Sequence, residues 1–90
     1  MIMKQIDECL TRAFEKKDPI PSKKWKAFIR TDERFGQVLY VYHYQHQVLA
    51  YLINHHIFAK EWWEKPADKR GLESSKEWLE DRWSKRAENS

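Results

Sequence analysis

Ninety residues allow one domain, because a chain this short does not hold two independent cores. Charged residues make up 34% of it, but five Trp, four Tyr and four Phe carry enough apolar area for a small core, at about 150–250 Å² each, which argues against intrinsic disorder. No apolar run approaches the ~20 residues of a membrane-spanning helix, and a net charge of +3 excludes a broadly basic protein while leaving room for a local basic patch.

The first predicted element is a helix over residues 2–17. Ile2, Ile6, Leu10 and Phe14 recur every four residues with Cys9 and Ala13 beside them, and polar residues fall opposite. Lys16 and Lys17 occupy its last turn, where cations suit the helix dipole. Asp18-Pro19-Ile20-Pro21 then stops it, since proline bars continuation. A strand is predicted over 24–30, with Trp25, Ala27 and Ile29 on one side and Lys26, Phe28 and Arg30 on the other. After the polar loop from Thr31 to Gly36 comes the strongest strand signal, 37–44, rich in β-branched and aromatic residues.

Gln45 and His46 are read as the turn into a third strand, 47–54. In that register Leu39, Val41, Val48, Ala50 and Leu52 share an aliphatic face. Val38, Tyr40, Tyr42, Tyr44, Leu49, Tyr51 and Ile53 share an aromatic one. Residues 57–63 fit a fourth strand, preferred here to the start of a helix, and Pro66 closes it. A last helix is predicted over 68–87, with Asp68 as its cap. Leu72, Leu79 and Trp83 form its apolar stripe, flanked by Trp78, and Gly71 weakens its first turn by about 1 kcal/mol relative to Ala. The fold class is therefore α+β: an N-terminal helix, a three- or four-stranded antiparallel meander, and a C-terminal helix packed on the sheet.

Catalytic and metal chemistry find little support. Zinc needs three or four converging ligands, whereas His43 and His46 stand on a strand and in a turn, and adjacent His55 and His56 would diverge from an extended chain. The carboxylates Glu73, Glu77, Glu80 and Asp81 alternate with cations as on a solvated helix. Gly36 and Gly71 are the only glycines, too few for a phosphate-binding loop. No nucleophile elbow is present. No catalytic residue, metal ligand or cofactor is expected. Cys9 lies on the apolar helix face, which predicts a buried thiol without a disulfide partner. Met1-Ile2-Met3-Lys4 followed by Asp7 and Glu8 does not read as a secretory signal, so the expected location is cytoplasmic.

Two binding surfaces remain. If both helices pack on one side of the sheet, Tyr40, Tyr42, Tyr44, Tyr51 and Trp62 are left partly exposed, and exposed Tyr and Trp anchor interfaces. They are also stacking platforms for bases. If one helix covers each face, the tyrosines are ordinary core-edge residues. The charge excess is confined to residues 1–36, with nine Lys/Arg against six Asp/Glu. Lys16, Lys17, Lys23, Lys24, Lys26 and Arg30 form its centre, a candidate phosphate-binding patch. The alternative is a dispersed, solvated surface.

The α-β-β-β-α order is similar in topology to that of double-stranded-RNA-binding domains, with Lys65-Pro66-Ala67-Asp68-Lys69-Arg70 where those domains carry basic residues opening the last helix. It departs from them in the Thr31–Gly36 loop, in the acids that interrupt the basic run and in the fourth strand. A three-stranded sheet with a helix is likewise similar to arm-site DNA-binding domains of some integrases. The expected function is non-enzymatic: a small protein-interaction domain of accessory or inhibitory type, binding a protein partner or itself through an aromatic sheet face. The alternative is a nucleic-acid-binding module using the Lys16–Lys26 patch.

Overall fold

The computed structural model describes residues 2–81. Helix α1 (Lys4–Phe14) is followed by strands β1 (Trp25–Asp32), β2 (Gly36–His43), β3 (His46–Leu52) and β4 (Ile57–Glu61), and by helix α2 (Pro66–Leu79). The strands form one antiparallel sheet in the order β1-β2-β3-β4, so residues 57–63 resolve as a fourth strand that ends at Glu61. Both helices pack on the same face of this sheet. Ile6, Leu10 and Ala13 of α1 and Leu72, Trp78 and Leu79 of α2 share a single core with Leu39, Val41, Leu49 and Tyr51.

The apolar phase of α1 is as its periodicity predicts, with Ile6, Cys9, Leu10 and Ala13 buried. Its end comes earlier than residue 17. Lys16 takes a left-handed conformation (φ 63°), and the Lys16 and Lys17 N–H groups bond back to the carbonyls of Ala13 and Arg12. That is the double hydrogen bond of a Schellman stop, with lysine where glycine is usual. Buried Cys9, a free thiol, is pushed up to a pKa of about 12 by desolvation.

The β1–β2 hairpin pairs Trp25 with His43 through to Asp32 with Gly36. Asp32 Oδ1 accepts the N–H groups of Arg34 (2.7 Å) and Phe35 (3.1 Å), and Gly36 adopts φ 77°, the left-handed position that a three-residue hairpin loop requires. A Cβ at Gly36 would also strike the Asn54 side chain.

The β2–β3 register differs from the predicted one. The turn is Tyr44-Gln45, so His43 faces His46 and Tyr42 faces Gln47. A bulge then inserts Val48, after which Val41 faces Leu49, Tyr40 faces Ala50, Leu39 faces Tyr51 and Val38 faces Leu52. A bulge opposes two residues to one and so reverses the alternation beyond it. Leu49, Tyr51 and Ile53 therefore join Leu39, Val41 and Val48 on the helix-covered face. Ala50 and Leu52 join Val38 and Tyr40 on the other. The predicted division into an aliphatic and an aromatic face does not exist.

Helix α2 starts at Pro66, two residues before the expected start, with proline at its first position, where no N–H is needed. Asp68 caps it from within the first turn, accepting the N–H groups of Lys65 (3.0 Å) and Glu64 (3.4 Å). Gly71 is explained by packing. A Cβ there would overlap the Trp25 ring, so the missing side chain lets the indole lie against the helix backbone. The predicted helix beyond residue 81, including Trp83, lies outside the described residues. The two helices also touch one another: Met3 N–H bonds Ser74 Oγ (3.4 Å), Trp78 Nε1 donates to Asp7 Oδ1 (2.9 Å), and Phe14 stacks on Trp78 at 5.4 Å.

Candidate functional site

With both helices on one side, the opposite face of the sheet carries no helix among the described residues. The strand pairings set its composition. Lys26 lies beside Tyr42, Phe28 beside Tyr40 and Arg30 beside Val38; Ala50 lies beside Lys60 and Leu52 beside Ile57. Phe28 is in ring contact with both tyrosines, 5.6 Å from Tyr40 and 5.6 Å from Tyr42. The Arg30 guanidinium sits 4.6 Å over the Phe28 ring, and Tyr42 OH donates to Gln47 Oε1 at 3.2 Å. Val38, Ala50 and Leu52 form a thin apolar layer against which Tyr40 packs. Three cations, Lys26, Arg30 and Lys60, frame the cluster. Asp32, of the same parity on β1, is engaged by the β1–β2 turn.

Of the five aromatic residues expected to share this face, the structure brings Tyr40 and Tyr42 together on it. Tyr51 is in the helix-side core, 3% exposed, with its hydroxyl 3.1 Å from His56 Nδ1. Burial, followed by the Glu80 charge, raises its pKa. Trp62 follows the end of β4, packs against the helix-side core and stacks on His46 at 5.0 Å. Tyr44 is exposed in the β2–β3 turn. The physical cause for Tyr51 is the Val48 bulge, which carries it across the sheet. Phe28 and Lys60 belong to the face and escaped the sequence reading, although the alternation of β1 already placed Phe28 beside Lys26 and Arg30.

The six basic candidates also divide. Lys16 and Lys17 form the stop of α1, and Lys17 pairs with Glu15 at 3.4 Å. Arg30 belongs to the helix-free face. Lys23, Lys24 and Lys26 line an open groove of about 380 Å³ with Tyr44, Gln45 and His46 across from them. Lys26 borders both surfaces.

The histidines are held separately. His46 and His56 contact Trp62 and Tyr51 as above, and His55 is exposed. His43 stacks on Trp25 at 4.1 Å and places Nδ1 2.6 Å from Asp68 Oδ1. The His43 hydrogen bond, then the Lys65 N–H, hold the Asp68 carboxyl below its ordinary pKa despite burial. An ionised carboxylate only accepts, so His43 Nδ1 carries the proton. Among the described residues no hydroxyl or thiol is hydrogen-bonded to either group. The pair ties the start of α2 to the sheet. Among the described residues no group of three or more His, Cys, Asp or Glu is arranged to hold a metal ion, and no helix is long and apolar enough to cross a membrane.

Comparison with protein-family models, with curated proteins and with solved structures finds no match for this chain.

Proposed function

We propose that this chain is a non-enzymatic protein-interaction domain, of accessory or inhibitory type, that binds an acidic protein partner through the helix-free face of its sheet. The observation that carries this reading is the Phe28–Tyr40–Tyr42 cluster, partly exposed and framed by Lys26, Arg30 and Lys60. Tyrosine and arginine are the residue types that concentrate binding energy at interfaces. A sheet face without helices offers them on a rigid support. The cations argue for an acidic partner over a second copy of the chain, since face-to-face association would oppose like charges, a costly arrangement. Phe28 is sandwiched by its neighbours, with Arg30 over one side of the ring, which favours a protein surface over base stacking at this face. The single thiol, Cys9, free and buried, supports a cytoplasmic location.

The experiment is site-specific photo-crosslinking in cells, with a photoreactive residue replacing Tyr40 or Tyr42, and with a control at Glu73, exposed on α2. A discrete adduct is expected from positions 40 and 42 but not from 73. It should vanish when Arg30→Glu and Lys60→Glu are introduced into the same chain. No adduct from the face, or one that survives the charge reversal, overturns the proposal.

A further inference from the structure

A second surface is assembled where residues 21–26 meet the β2–β3 turn. The Trp25–His43 pairing brings the start of β1 alongside that turn, and the Tyr44 N–H bonds the Lys24 carbonyl at 2.8 Å, locking the two walls of the groove together. Lys23, Lys24 and Lys26 stand on one wall and Tyr44, Gln45 and His46 on the other. No carboxylate lines the groove, and among the described residues none of the three lysines makes an ion pair. Three ammonium groups around one concavity whose own lining holds no acid repel one another and attract a polyanion, although Glu8 lies with the same lysines around the adjoining pocket at α1.

Tyr44 adds a second, separate indication. Tyr44 is 55% exposed, and its ring rests against His43 at 4.7 Å. Its backbone adopts φ 58°, in a two-residue hairpin turn where glycine or asparagine is the strain-free choice. A bulky residue there costs roughly 1–2 kcal/mol. An aromatic ring at a strained position, exposed above a cationic groove, is a poor choice for stability and a good one for stacking.

We propose that this groove binds single-stranded nucleic acid, with Lys23, Lys24 and Lys26 neutralising successive phosphates while Tyr44 stacks on a base. A positive channel beside an exposed ring is the combination by which single strands are held. In a duplex the base faces are already stacked and offer Tyr44 nothing. The site is distinct from the helix-free face, which it borders only at Lys26, so either can fail without the other.

The test is fluorescence polarisation of the whole chain with a labelled oligothymidylate and with a duplex of the same length, across several salt concentrations. Single-strand binding is expected to weaken with salt at a slope of about −2 in log–log form, roughly 0.7 for each of three phosphates. Paired Lys23→Glu and Lys24→Glu substitutions should abolish it. Tyr44→Gly should weaken it about tenfold while leaving the salt slope in place, and the relieved turn keeps that variant folded. Arg30→Glu with Lys60→Glu should change it little. The proposal is overturned by an absence of binding at low salt, by a duplex bound as tightly as the single strand, by indifference to Tyr44→Gly, or by a loss that follows Arg30 and Lys60 instead of Lys23 and Lys24.

Discussion

The two faces of the sheet have buried layers of similar residue types and differ in what lies over them. One carries Leu39, Val41, Leu49 and Tyr51 under two helices; the other carries Val38, Tyr40, Ala50 and Leu52 under long side chains alone. Composition does not separate them, since a tyrosine stands on each. What separates them is coverage. A ring beneath a helix loses its water to the fold, whereas a ring framed by Lys26 and Arg30 keeps part of its area in water. Hydrophobicity by itself therefore says little about which residues a domain can spare for binding.

The most direct way to break that comparison is to remove one tyrosine from each face. Tyr51→Ala should cost about 4 kcal/mol in denaturant unfolding, as large aromatic truncations in a core do, a large share of the roughly 5–15 kcal/mol that holds a domain together. Tyr42→Ala should cost about 1 kcal/mol, for a half-buried ring and one hydrogen bond. Equal losses would mean that the two faces are one core.

A smaller effect sharpens how the covered face is closed. Asp68→Ala removes the acceptor for His43 and two backbone N–H groups, and should cost about 2 kcal/mol near neutral pH. Because the folded-state pKa of Asp68 is lowered, its contribution is present above the ordinary carboxylate value of about 3.9. It is lost as the pH falls through the folded value. Wild-type stability should therefore drop more steeply than that of Asp68→Ala in acid, measured by unfolding at a series of pH values. Parallel curves would show that the carboxylate is not engaged.

The smallest effect is one of sign. Helix propensity alone predicts that Gly71→Ala stabilises by about 1 kcal/mol, while the Trp25 ring against the backbone predicts overpacking of 1–3 kcal/mol. The expected net is a loss of about 1 kcal/mol by thermal or denaturant unfolding. A gain would mean that Trp25 does not lie on α2.

Much of this architecture is legible in the chain. The spacing of Ile6, Leu10 and Ala13 and the alternation of Trp25, Ala27 and Ile29 place those residues correctly because helices and strands with one buried face advertise their period. The faces of β3 are not legible. The Val48 bulge leaves no composition signal, and one inserted residue moves Tyr51 from the expected open surface into the core. Coverage of a face is likewise a tertiary fact, beyond the reach of any strand pattern. The groove lies between these cases. Asp32 and Gly36 mark a three-residue loop, and pairing outward from it brings Trp25 opposite His43 and so Lys24 beside Tyr44. The register thus joins lysines and a tyrosine that composition alone places on separate surfaces, the lysines in a basic patch and Tyr44 on an aromatic face.

The contact between the helices reaches further than packing. Met3 meets Ser74, and Asp7 meets Trp78, across 71 residues of chain, whereas every strand pairs with its sequence neighbour. During synthesis the hairpins close as they emerge, since only short loops separate the paired strands. The core face of the sheet, with Trp25 and Leu39 on it, then has α1 to cover it but waits for the rest of its cover until α2 is made. The nascent chain therefore passes through a stage in which α1 alone covers its sheet, and the arrival of α2 completes the closure of the face that α1 has already chosen.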